Sequence, residues 1–105
     1  MNDISVAELA RRCAAGEDVT IVDVREPWEV AIAAIPGSTH IPMARIAADP
    51  SAVPRDREVV VMCHVGGRSR RVVDALAAVG FDRVRNLAGG IDAWSLQVDP
   101  AVPRY

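Results

Sequence analysis

The chain has 105 residues, of which half are apolar and a quarter charged, so one modest globular core is expected over residues 1–105. Its net charge of −2 argues against a general nucleic-acid binder, which needs a basic excess to displace counterions from phosphates. All 12 basic residues are arginine, which excludes lysine Schiff-base chemistry and lysine-based phosphate loops.

Ser5-Val6-Ala7-Glu8 has the spacing of a capping box, and Val6, Leu9, Ala10 and Cys13 then recur at helical period up to Gly16. A helix over about 6–15 follows, with Cys13 on its core stripe. Val19 to Val24 is a β-branched run that reads as a buried strand. Pro27 sits well in the first turn of a short helix that begins at Glu26. Ile35-Pro36-Gly37-Ser38 is a turn, Thr39-His40-Ile41 a brief extended piece, and Met43 to Ala48 a short helix ended by Asp49-Pro50-Ser51.

Glu58-Val59-Val60-Val61-Met62 is apolar without alternation after its first residue, as in a central parallel strand covered on both faces. Cys63 to Ser69 follows as a loop. The next helix carries Val72, Val73, Leu76 and Val79 and closes at Gly80. A last strand within 81–87, a last helix over 90–96 and an extended 98–105 tail complete the chain. Strands alternating with short helices point to an α/β fold with a mainly parallel central sheet flanked by helices on both faces.

Chemistry is expected where the best strand meets a glycine-containing loop that opens a helix. Ligands collect at the carboxyl ends of parallel strands, and helix N-termini present unpaired N–H groups. A loop curling round Cys63 would aim several N–H groups at its sulfur, with Gly66 and Gly67 allowing the curvature. Such a nest favours the thiolate and makes Cys63 a candidate nucleophile. The plainer alternative is an inert cysteine ending a core strand.

These residues carry a resemblance. Cys63-His64-Val65-Gly66-Gly67-Arg68-Ser69 resembles the C-x-x-G-x-R-S active-site loop of the rhodanese sulfurtransferases. Asp23-Val24-Arg25-Glu26, the stretch from Ile35 to Pro42, and Leu87-Ala88-Gly89-Gly90-Ile91-Asp92-Ala93-Trp94 resemble that family's D-x-R-E, I-x-G-A-x-x-I-P and L-x-G-G-x-x-A-W segments, in the same order. The chain departs from the pattern at Ala33-Ala34, where members usually carry Gly-His. The resemblance implies a rhodanese-like fold and a Cys63 that takes up a sulfane sulfur as a persulfide. It implies that the backbone from His64 to Ser69, with Val65, Gly66, Gly67 and Arg68 between them, cradles the outer sulfur. It assigns Asp23 to anchoring the loop region and Arg25 to the pocket rim. Thiosulfate or a persulfide would be the donor, and cyanide, a thiol or a protein sulfur partner the acceptor. A persulfide carrier or regulatory binding module with little turnover is the alternative.

Loop length separates this chemistry from a neighbouring one. Tyrosine-type phosphatases place five residues between cysteine and arginine, whereas four, His64 to Gly67, stand here. The smaller ring suits a sulfur atom better than a phosphoryl group, and the phosphatase general acid has no counterpart.

Other residues receive plainer readings. Cys13, His40, Cys63 and His64 lack metal-ligand spacing, and no cofactor is needed. His64 could lend charge or gate access, or be a plain solvent-facing loop residue, and His40 reads as a turn or strand-edge residue. Arg68, Arg70 and Arg71 would gather positive charge for an anionic donor, the plainer alternative being that Arg70 or Arg71 belongs to the solvated face of a helix. Trp94 reads as a core anchor, while Trp28 has no assigned role. The start, Met1-Asn2-Asp3-Ile4, lacks a basic stretch before an apolar one, and no apolar run approaches a membrane span. A cytoplasmic protein with two thiols is expected.

Overall fold

β-branched runs cannot satisfy their backbone alone, and in the computed structural model, which describes residues 2–105, they pair with one another in parallel. The elements are β1 (Asp3–Ile4), α1 (Val6–Ala14), β2 (Val19–Asp23), α2 (Pro27–Ile32), β3 (Thr39–His40) and α3 (Met43–Ala48). A 3₁₀ turn (Pro50–Ala52), β4 (Glu58–Met62), α4 (Gly67–Ala78), β5 (Val84–Leu87) and α5 (Gly90–Gln97) follow. The five strands form one sheet in the order β1-β5-β4-β2-β3, and every pairing is parallel. None of the helices is long and apolar enough to cross a membrane, among the described residues.

β4 shows how the core is divided. Val59 and Val61 point to one face, where they join Ile46 of α3 and Val72, Val73 and Leu76 of α4. Val60 and Met62 point to the other, where Val6 and Leu9 of α1 and Ile91 and Trp94 of α5 cover them. The unalternating apolar run is therefore a strand buried on both sides, as its composition predicts. Trp94 is buried as the anchor of α5.

The strand order also places the site. After β2 the chain moves outward to β3, and after β4 it moves the opposite way to β5. The two connections diverge at the carboxyl ends of adjacent strands, the place where parallel sheets gather ligands.

Two expectations are corrected, and one element is added. Cys13 is exposed: the buried residues of α1 are Val6 and Leu9, in its first half, and the stripe is not covered as far as its last turn. The 98–105 tail bends instead of extending: the Val102 N–H donates to the Asp99 carbonyl at 3.1 Å, and the Ser95 hydroxyl donates to the Val102 carbonyl. β1 was not foreseen, since two residues carry no periodicity. It exists because Asp3 and Ile4 pair with Asn86 and Leu87.

Candidate functional site

Cys63 follows β4 directly and is almost completely buried. The chain then turns sharply, with Gly66 at φ +111°, a left-handed conformation that favours glycine. α4 begins at Gly67, so Arg68 and Ser69 belong to its first turn, not to a loop. This brings the free donors of the helix start onto the sulfur. The Gly66 N–H donates to Cys63 Sγ at 3.1 Å and the Ser69 N–H at 3.4 Å. The Ser69 hydroxyl lies 3.3 Å from the same atom. Burial pushes the Cys63 thiol up, but the Ser69 hydroxyl and the N–H groups of Ser69, Gly66 and Arg68 outweigh it. The thiol ends below its ordinary value.

The loop's carbonyls are held from behind by α5. Ile91 N–H donates to the Cys63 carbonyl at 3.0 Å, and Asp92 N–H to the His64 carbonyl at 3.1 Å. This close approach requires Gly90. A Cβ there would stand 2.5 Å from the Cys63 carbonyl oxygen and 2.4 Å from that of His64. The glycine pair ahead of α5 thus keeps the loop's carbonyls outward and its N–H groups inward.

Arg68 does not reach freely into the pocket. Its guanidinium makes two bonds, of 2.7 and 2.8 Å, to the Glu29 carboxylate on α2. Arg68 holds the Glu29 carboxyl at about 2, well below the ordinary carboxylate value. Glu29 also accepts from the Glu26 N–H as part of a capping box for α2, and from the Tyr105 hydroxyl at 2.9 Å.

Arg25 is fully buried and is not a rim residue. Its Nη2 lies 2.6 Å from Asp23 Oδ2, and it donates further to the Ala33 carbonyl at 2.7 Å and to the Tyr105 hydroxyl at 3.0 Å. A buried guanidinium needs its N–H groups paired, and this one sits beneath α2 because the partners are there. Asp23 therefore braces α2 through Arg25, which donates to the Glu29 and Ala33 carbonyls, and α2 in turn holds the start of α4 through the Glu29–Arg68 pair.

Of the remaining arginines, Arg70 pairs with Asp3 and reaches Asp74. Arg71 lines an apolar groove of about 430 Å³ between α3 and α4, with Met43, Ile46, Leu76 and Val79. None of the residues that bond the sulfur lines that groove. The Tyr105 ring stacks on His64 at 4.1 Å, and Trp28 meets it edge-on at 6.2 Å. His64 is thus an aromatic wall of the site, while His40 ends β3 with its ring nitrogen 2.7 Å from the Arg25 carbonyl. Glu29, Tyr105 and Asn86, which takes a hydrogen bond from Ser69, were missed from sequence. Only Glu29 left a signal there, in the Glu26-to-Glu29 capping spacing.

A buried cysteine at the end of β4, faced by the N–H groups that open α4, is the geometry with which comparisons to known proteins agree. Residues 5–97 fit the family model described as a rhodanese-like domain. The chain belongs to the rhodanese-like family. A sulfurtransferase of Allochromatium vinosum is 41% identical over 102 residues, spanning 97% of this chain and 95% of that one. A putative sulfur carrier protein of Bacillus subtilis is 30% identical over 93 residues, covering 89% of this chain and 50% of its own length. The human single-domain sulfurtransferase TSTD1 superposes with a TM-score of 0.80 at 25% identity, covering 92% of this chain and 97% of that one.

Proposed function

We propose that this rhodanese-like chain moves a sulfane sulfur, from thiosulfate or a persulfide donor, through a persulfide on Cys63 to a thiophilic acceptor. The observation that carries the reading is the convergence of the Gly66 and Ser69 N–H groups on a buried sulfur at the carboxyl end of β4. In the first half-reaction the Cys63 thiolate attacks the sulfane sulfur of thiosulfate. The new sulfur–sulfur bond forms as the old one breaks, and sulfite leaves with the electron pair. The negative charge moves to the outer sulfur, within the same ring of donors. In the second half-reaction cyanide or a thiolate attacks that outer sulfur and the Cys63 thiolate departs. The backbone donors of the ring face negative charge in both states, on Sγ in one and on the outer sulfur in the other. No metal or other cofactor enters this scheme. The names of the relatives, which concern sulfur transfer and sulfur carriage, support the reaction class.

A second reading, a persulfide carrier with little turnover of small donors, gains support from the arginines. Arg25, Arg68 and Arg70 are paired with Asp23, Glu29 and Asp3, so their charge is offset before a dianionic donor arrives. That favours a persulfide over thiosulfate. Incubation with thiosulfate or with glutathione persulfide, followed by intact mass and by thiocyanate release on adding cyanide, separates the readings. Loading by both donors with fast release supports the enzyme. Loading by the persulfide alone with slow release supports the carrier, and loading by neither contradicts both.

A further inference from the structure

Ser69 is completely buried, and its hydroxyl has one proton for two acceptors. Cys63 Sγ lies 3.3 Å away, and Asn86 Oδ1 lies on the other side at 2.5 Å. Asn86 is itself buried on β5, and its amide has a fixed orientation. Its Nδ2 donates to Asp3 Oδ1 at 3.2 Å, and an ionised carboxylate only accepts. Reversing the amide would set two oxygens against each other, so the Asn86 oxygen must face Ser69. Asp3 is held in turn by Arg70 and by the β1–β5 pairing of Asp3 with Asn86.

We propose that Asn86 is a positioning residue that competes with the Cys63 sulfur for the single proton of Ser69. When Sγ is uncharged, the hydroxyl donates to Asn86. When Sγ is a thiolate, the hydroxyl turns to the sulfur, and the Asn86 oxygen is left against a serine lone pair. Asn86 therefore opposes the thiolate and favours the states in which Sγ carries no charge. On the reading that Cys63 carries a persulfide, one of those states is the loaded form, whose charge lies on the outer sulfur.

The direction is distinctive. A residue that merely supported the loop would, when removed, loosen the donors and raise the thiol. Removing the Asn86 oxygen instead leaves Ser69 with the sulfur as its acceptor. The other charged and titratable groups packed around the pocket are Arg68 with Glu29, Asp23 with Arg25, His64, Asp92 at the start of α5, Tyr105, and Asp3, which keeps Arg70 when the Asn86 amide is removed.

The test is the rate of Cys63 alkylation by iodoacetamide against pH, in a Cys13→Ser background. Asn86→Leu and the smaller Asn86→Ala should each lower the midpoint by about one unit. Ser69→Ala should raise it, and Asn86→Leu should add nothing in the Ser69→Ala background. A midpoint unchanged or raised in both Asn86 variants, or an Asn86 effect that persists without the serine hydroxyl, overturns the proposal. The readout needs no sulfur donor. If the midpoints move as expected but no donor loads Cys63, sulfur transfer falls and the role of Asn86 stands.

Discussion

β2 and β4 are adjacent, and each ends in a short turn leading to a helix at the same edge of the sheet, yet the two turns do opposite things. The turn after β2 closes on itself: the buried Arg25 guanidinium meets Asp23, the Ala33 carbonyl and Tyr105, all supplied by the chain. The turn after β4 leaves its donors pointing at the Cys63 sulfur, where an anion can form or arrive. Topology alone gives both positions equal claim to a ligand. What separates them is whether the chain itself fills the ring. The Glu29–Arg68 bond pair joins the two, so the closed turn braces the open one.

The comparison breaks most completely at the sulfur. Cys63→Ser should abolish persulfide formation with the fold intact by circular dichroism, while Cys13→Ser leaves transfer unchanged. Loss of transfer in a folded Cys13 variant would mean that the nucleophile is misassigned.

Next comes the approach of α5. Gly90→Ala places a Cβ against two backbone carbonyls and adds a side chain at φ +59°. The donors should shift off the sulfur, and loss of such contacts in other enzymes costs about 10²–10³ in rate. Transfer kinetics on the folded variant check this, and a rate near wild type would show that α5 does not set the loop.

The closed turn should respond through stability. Arg25→Met leaves Asp23 buried without its partner, a loss of about 3–5 kcal/mol. Denaturant titration should show it, with much of the loss recovered in the Asp23→Leu/Arg25→Met double variant. A single variant as stable as wild type would remove the brace from the account.

The smallest effect belongs to the link between the turns. Glu29 titrates at about 2 in the folded chain, below its ordinary value of 4.5. It therefore stabilises the fold fully above about pH 5, and that contribution disappears as the pH falls through 2. In Glu29→Gln the difference in stability from wild type should shrink steadily between about pH 5 and pH 2. A difference independent of pH would mean that the Arg68 contact does not depend on the carboxylate charge.

Much of this was legible in sequence because it is local. The run at 58–62 specified a strand covered on both faces, and the Cys63-to-Ser69 spacing specified a ring of donors, since strand composition and helix starts follow from neighbouring residues. Some misreadings are local, such as the bend of the tail at Asp99 to Val102 and the start of α4 at Gly67, but those that bear most on the site are tertiary. The 3.6-residue period of α1 predicted a buried Cys13 but contains nothing about how far along the stripe other elements cover it. The resemblance put Arg25 at the pocket rim, whereas its burial follows from Asp23, Ala33 and the distant Tyr105 meeting round one guanidinium. Asn86 gave no signal, because its role exists only once β1, β5 and α4 meet.

The central claim is that the open turn turns a buried cysteine into a sulfur acceptor, and intact mass spectrometry tests it most directly. After incubation with thiosulfate or glutathione persulfide, the account predicts one added sulfur on the wild type and on Cys13→Ser, removed by cyanide, and none on Cys63→Ser. A folded wild type that gains no sulfur from either donor, or a Cys63→Ser variant that still gains one, would contradict it.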